Sequence, residues 1–153
     1  FATLAPLVPL AAQRGLRVSA LLSARSPADL MRSEFEQGAA PAIHTVFDSD
    51  GSSDVSRVEI LLRDLLVRER PDAVFTCGSN RLLLLLQRLC AESGTPGQVA
   101  LEQQMACALG VCLSCVRSLR AADGSIEHRR VCCEGPVFDL QAVVSPAGGG
   151  HAG

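Results

Sequence analysis

Apolar residues recur at helical spacing over residues 5–14, and Gly15 stands where such a helix would stop. Residues 16–24 (LRVSALLSA) are short, apolar and followed by polar residues, the pattern of a strand buried on both faces. Ser26 before Pro27 supplies an N-cap with proline at the first helical position, which predicts a second helix as far as Gln37, with Gly38 as its stop. Residues 42–47 form the next expected strand, and 48–53 (DSDGSS) a loop by composition. Over residues 55–68, Val58, Ile60, Leu61, Leu65 and Leu66 make a helical stripe between arginines and acids. Residues 73–77 (AVFTC) form a short buried strand ended by Gly78, and 80–92 a leucine-rich helix closed by Gly94. Strands alternating with helices predict an α/β layer domain over residues 1–97, with a parallel sheet and crossover connections.

After Pro96 and Gly97 helical periodicity disappears, and five of the seven cysteines crowd between Cys107 and Cys133. Residues 115–119 and 129–132 are candidate strands flanking an Asp123-Gly124 turn, so a smaller β-rich unit is expected over 98–145. Residues 146–153 (PAGGGHAG) have little apolar surface to bury and are expected to be a disordered tail.

With 153 residues and 48% hydrophobic content, the chain can build one core or one domain with a satellite. A net charge of -2 with scattered arginines offers no basic stripe, which argues against a nucleic-acid partner. The run Leu82 to Leu86 falls far short of the roughly 20 apolar residues that span a bilayer, and no signal segment opens the chain; no membrane association and a cytoplasmic location are expected. In a reducing compartment seven cysteines, an odd number, are free thiols available to metal rather than a disulfide framework. A start at Phe1, directly in a helical pattern, leads us to expect further chain upstream.

Cys107, Cys112 and Cys115 are separated by four and then two residues, and Cys132 follows after sixteen more, the ligand spacing of plant-type two-iron, two-sulfur clusters. A loop wrapping such a cluster must aim thiolates inward while its amides bond the sulfurs, and Gly110 gives the chain that freedom. Zinc is the competing reading, although structural zinc usually takes two CxxC pairs and only Cys112 and Cys115 form one. Of the adjacent Cys132 and Cys133, on a strand, one would coordinate and the other point away.

The run QVALEQQMACALGVCLSCVRS through RRVCCEGPVFD (residues 98–139) closely resembles the electron-transfer subunit of the NAD-dependent bacterial dihydroorotate dehydrogenase. The resemblance rests on Glu102, Met105-Ala106-Cys107, Val131-Cys132 and Gly135-Pro136-Val137-Phe138. Upstream, Leu4 to Ala11 (LAPLVPLA), Ser23 to Ser26 (SARS), Glu34-Phe35 and Thr76 to Gly78 (TCG) resemble the nucleotide-binding domain of the ferredoxin reductase superfamily. The resemblance implies a ferredoxin-reductase-like α/β domain, a parallel sheet with helices on both faces, followed by a small β-rich (2Fe-2S) domain. It implies Cys107, Cys112, Cys115 and Cys132 as cluster ligands, Ala5 and Pro6 near dinucleotide phosphates, Ala24, Arg25 and Ser26 near the adenosine, and Cys77 and Gly78 near the nicotinamide and flavin ring. It further implies FAD and NAD as cofactors and a catalytic dihydroorotate dehydrogenase subunit as partner, a heterotetramer in the family. Electrons would pass from that flavoprotein through the cluster and FAD to NAD, in pyrimidine biosynthesis.

Departures accompany the match. Phe1-Ala2-Thr3-Leu4 stands where the family has a glycine-rich loop, Ala108 and Ser114 replace common glycines, and Ser79 replaces a proline. The family's β-barrel, which binds most of the FAD, is not among these residues. A sulfide dehydrogenase or ferredoxin-NADP reductase-type subunit is the runner-up, but that group often has Asp at the first cluster position, where this chain has Cys107. A zinc-stabilised binding module without redox activity is the alternative of another class.

The remaining polar residues add little. Cys77 ends a strand at the crevice where α/β folds bind ligands, with packing as its other reading, and Cys90 reads as core. Asp48, Asp50 and Asp54 lack a calcium-loop spacing. His44, His128 and His151 share no spacing for general-base work, and no catalytic residue is assigned. The five leucines from Leu82 exceed what one helix face buries on its own sheet, so a further contact should cover the excess.

Overall fold

The computed structural model describes residues 3–30 and 42–144. The chain is a mixed α/β protein with small sheets, and it divides into two compact units, Phe1–Arg70 and Pro71–Gly153.

In the first unit, helix α1 (Leu7–Gln13) buries Val8, which packs with Leu22 among Leu4, Ala5, Val18, Ala20, Leu30 and Ile43. Gly15, at φ 68°, takes the left-handed turn that ends the helix. Strand β1 is Ser19–Ala24 and pairs in parallel with β2 (Ala42–Phe47), Leu22 opposite Thr45. The strand therefore starts later than the apolar run implies. Leu16 is exposed just after the left-handed glycine, so the residues before Ser19 complete the turn. The helix expected after Ser26 begins as one 3-10 turn, Pro27–Asp29, and Leu30 is already extended. The Ser26 hydroxyl donates to the Asp29 carboxylate at 2.6 Å instead of capping backbone amides, which removes the signal the sequence reading relied on. The rest of that predicted helix lies outside the described residues, as does the predicted tail. Helix α2 (Val55–Glu69) turns Val58 inward and carries i,i+4 pairs Glu59–Arg63 and Asp64–Arg68, each at 3.0 Å.

The second unit joins β3 (Val74–Cys77) in parallel to β4 (Gly97–Ala100), and β4 antiparallel to β7 (Val137–Asp139). Strand β4 straddles the composition break near residue 97 and bonds to neighbours on both sides. Helix α3 (Asn80–Ser93) starts at Ser79, whose hydroxyl accepts from the Leu82 amide at 3.4 Å, and ends at Gly94 with φ 70°. It buries Leu83, Leu85, Leu86, Leu89 and Cys90 and leaves Leu84 exposed. The leucine excess is covered partly from within the unit: the Gln87 amide donates to the carbonyls of Leu140 and Val143, both at 2.7 Å, and ties that buried segment to the helix.

Strands β5 (Val116–Arg120) and β6 (Ile126–Arg130) form a hairpin whose turn is fixed by Gly124 at φ 85° and by Asp123 accepting from the Ser125 amide. The strand expected over 129–132 stops at Arg130. Val131–Glu134 is a short helix, α4, because the Glu134 carboxylate accepts from the Arg130 amide and the Val131 side chain is wholly buried. Cys132 and Cys133 therefore share a helical turn and do not alternate across a strand.

Candidate metal centre

Residues 101–114, between β4 and β5, contain no regular element, and Ala108 (φ 54°), Gly110 (φ 80°) and Leu113 (φ 58°) are left-handed. Such turns point successive amides toward one side, a concavity suited to an anionic atom. Cys107 is that atom here: the Leu109 amide donates to its sulfur at 3.4 Å. With the Cys112 amide as the strongest contributor, followed by Leu109, the Cys112 thiol and the Val111 amide, its thiol is held down to about 6. The Ser114 hydroxyl donates to the Gln104 carbonyl at 3.3 Å and closes the loop.

Cys115 is buried at the foot of β5, and the Cys132 amide donates to its sulfur at 3.5 Å. That amide, with the Cys132 thiol, lowers the Cys115 thiol below its ordinary value. Cys132 is pushed up to about 12, since its proton is held between the sulfurs of Cys115 and Cys133. The sulfurs of Cys132 and Cys133 are 3.5 Å apart.

The four cysteines singled out from the sequence thus stand as two couples, Cys107 with Cys112 and Cys115 with Cys132, one thiol of each couple favoured as thiolate. Among the described residues no three His, Cys, Asp or Glu side chains gather to hold one metal ion. Four thiols supplied by one loop and one turn are a donor set that could hold a soft metal centre, with backbone amides left to bond the sulfurs. Cys133 is exposed, and its sulfur lies against the same loop, 2.7 Å from where a side chain on Gly110 would begin. Leu109 (78% exposed) and Val111 (76%), with Met105 and Leu113, turn apolar surface outward around the couples.

The nucleotide candidates fall into both units. Ala5 and Pro6 lie in the turn just before α1, with Pro6 as its N-cap, and Ala5 packs on Val8 and Leu22. Ala24 ends β1; its carbonyl accepts from the Asp48 amide, and that of Arg25 from Ser49. Ser26 is engaged with Asp29. In the second unit Cys77 ends β3 and its thiol donates to Glu102 at 3.4 Å, next to Gly78 at φ 154°. Cys90 is 1% exposed, a core residue. Reading the sequence missed Arg130, which contacts the cysteine loop at Gly110, and Glu134, which holds Arg130; the arginine and glutamate four apart were the available signal.

A loop of amide-stabilised cysteines, carried by a hairpin in a mixed α/β chain, suits a cysteine-ligated metal centre. Residues 102–144 match the iron-sulfur cluster binding domain of dihydroorotate dehydrogenase B. A relative from Methanothermobacter thermautotrophicus, a probable dihydroorotate dehydrogenase B (NAD(+)) electron transfer subunit, is 35% identical over 137 residues, 90% of this chain and 48% of its own length. The electron transfer subunit from Desulforamulus reducens is 39% identical over 70 residues, 46% of this chain and 26% of its own length. Among solved structures, the NADH-dependent reduced ferredoxin-NADP oxidoreductase, studied for flavin-based electron bifurcation, superposes with a TM-score of 0.71 at 26% identity, covering 94% of this chain and 50% of that one. The chain spans about half the length, or less, of these relatives. The likeness read from the Met-Ala-Cys and Val-Cys segments agrees with these matches: this chain is similar to electron transfer subunits of dihydroorotate dehydrogenase B. Among the described residues no helix is long and apolar enough to cross a membrane.

Proposed function

We propose that the chain passes electrons from a dihydroorotate-oxidising flavoprotein subunit, through a (2Fe-2S) cluster and FAD, to NAD. Its ligands are Cys107, Cys112, Cys115 and Cys132, residues 98–145 form the cluster domain, and residues 1–97 form part of a nucleotide-binding layer. The observation that carries this reading is the pairing of the thiols, each couple including a sulfur that accepts backbone N–H bonds. Such a cluster, when bound, takes up and gives back single electrons.

The protein's own work is to hold and to tune. The amides of Leu109, Val111 and Cys112 stabilise negative charge on the Cys107 sulfur, and the Cys132 amide does so for Cys115. Val131 is wholly buried and its amide donates to the Cys115 carbonyl at 3.1 Å, which anchors the turn of Cys132 at the foot of β5. The outward apolar side chains Leu109, Val111 and Leu113 offer a surface for the catalytic dihydroorotate dehydrogenase subunit, in a heterotetramer. Cys77 and Gly78, at the end of a parallel strand, face the nicotinamide and flavin in this reading, with Ala5 and Pro6 near phosphates and Ala24, Arg25 and Ser26 near the adenosine.

Anaerobic reconstitution of the chain with iron and sulfide tests the ligand set. We expect visible absorbance and a paramagnetic resonance signal on reduction, lost in Cys132→Ser and kept in Cys133→Ser. Equal retention in both variants refutes the assignment of Cys132. A colourless protein that binds zinc and no sulfide overturns the function.

A further inference from the structure

The loop that holds Cys107 and Cys112 and the turn that holds Cys132 are about twenty residues apart in sequence, and one side chain bridges them. The guanidinium of Arg130 donates from Nη1 to the Gly110 carbonyl at 3.3 Å and from Nε to Glu134 Oε2 at 3.0 Å. The same Glu134 oxygen accepts from the Arg130 amide at 2.9 Å. Arg130 is thereby held at its backbone amide and at Nε by the carboxylate of Glu134, the last residue of the turn, while Nη1 reaches across to the loop.

We propose that Arg130 is a positioning residue of the cluster site: it fixes the Gly110 loop against the Cys132 turn, and its charge raises the reduction potential of the centre. The proposal rests on the cluster reading above. Two further observations support it. Gly110 is packed between Arg130 and Cys133, a side chain there meeting Arg130 Nη1 at 3.4 Å and the Cys133 sulfur at 2.7 Å, so this is a close backbone approach and not a chance surface contact. The Arg130 guanidinium also reaches the Gly110 carbonyl midway between Cys107 and Cys112 in sequence, which brings its charge to the loop that carries two of the proposed ligands. A fixed cation beside a centre that gains negative charge on reduction favours the reduced form. The neighbouring Arg129 is bound at 2.6 Å to Glu127 and lies 3.9 Å from Glu134, so it does not substitute for Arg130 at Gly110.

The test compares the reconstituted wild-type chain with Arg130→Met and Arg130→Lys, after circular dichroism shows that each is folded. Potentials are read by paramagnetic resonance during redox titration, cluster loss by the decay of visible absorbance with a chelator, and loop order by hydrogen–deuterium exchange of residues 107–114 in the cluster-free chain. We expect Arg130→Met to lower the potential, to lose its cluster about tenfold faster and to exchange faster over the loop. Arg130→Lys should recover most of the potential, because the charge is kept, and less of the loop order, because one ammonium cannot span Gly110 and Glu134 as the guanidinium does. A wild-type potential in Arg130→Met, or a potential equally low in Arg130→Lys, overturns the charge role. Unchanged loop exchange in Arg130→Met overturns the positioning role. Failure of the wild-type chain to take up iron and sulfide instead overturns the function on which the proposal rests.

Discussion

Titrating the cluster-free chain with an alkylating agent probes the amide cage around Cys107. An ordinary thiol at 9.0 is about 1% thiolate at pH 7, whereas one held down to about 6 is roughly 90% thiolate, a gain of about 90-fold in the reactive form. A less basic thiolate is a weaker nucleophile, and a Brønsted slope of about 0.4–0.5 takes back roughly 20-fold. Cys107 should therefore react only about fourfold faster than an ordinary cysteine at pH 7, and the rate alone is a poor test. The pH profile is the sharper one. Iodoacetamide labelling followed by peptide mass spectrometry should rise to half its plateau near pH 6 at Cys107 and stay flat above pH 7, while Cys132, pushed up to about 12, stays unlabelled through the same range. Labelling of Cys107 that keeps climbing through pH 9, or matches the urea-unfolded chain at every pH, would refute the reasoning. Stability follows with definite signs. Because the folded value of Cys107 is depressed, its contribution is complete above 9.0 and is lost as pH falls through about 6; that of Cys132, whose value is raised, is complete below 9.0 and is lost as pH rises through about 12.

Two further outcomes are expected. Gly110→Ala should lower both cluster yield and thermal stability, by about 1–3 kcal/mol, because φ 80° disfavours a side chain and the new methyl group starts 2.7 Å from the Cys133 sulfur; adding Cys133→Ala should recover the steric share only, and full wild-type yield in the single variant would contradict this. Leu89→Ala, at a site 1% exposed in α3, should cost about 2–5 kcal/mol in urea unfolding while the paramagnetic signal of the folded fraction keeps its shape; a loss below about 1 kcal/mol would show that α3 does not anchor the second unit's core.

Much of this protein can be read along the chain. Gly94 marks the end of α3, the stripe around Val58 marks α2, and the Asp123-Gly124 pair marks the hairpin turn, because capping, periodicity and turn geometry depend on residues a few positions apart. The Cys107, Cys112 and Cys115 spacing is legible for the same reason, since the ligands that one loop would give the proposed cluster lie a few positions apart. Local signals also mislead when a side chain finds another partner. Ser26 looks like a helix cap and bonds to Asp29, and Cys132 looks like a strand residue until Glu134 turns the backbone.

Spacing names the cysteines, but the approach of distant segments sets how they couple: Cys115 meets Cys132, and Arg130 meets Gly110, through the pairing of β5 with β6 and the turn that follows it. The cover over the leucines of α3 likewise comes from Leu140 and Val143, more than fifty residues beyond Gln87. Periodicity and capping are energies of neighbouring residues and are written in order along the chain; contacts between remote segments are paid for in loop entropy and exist only once the rest of the fold has brought those segments together.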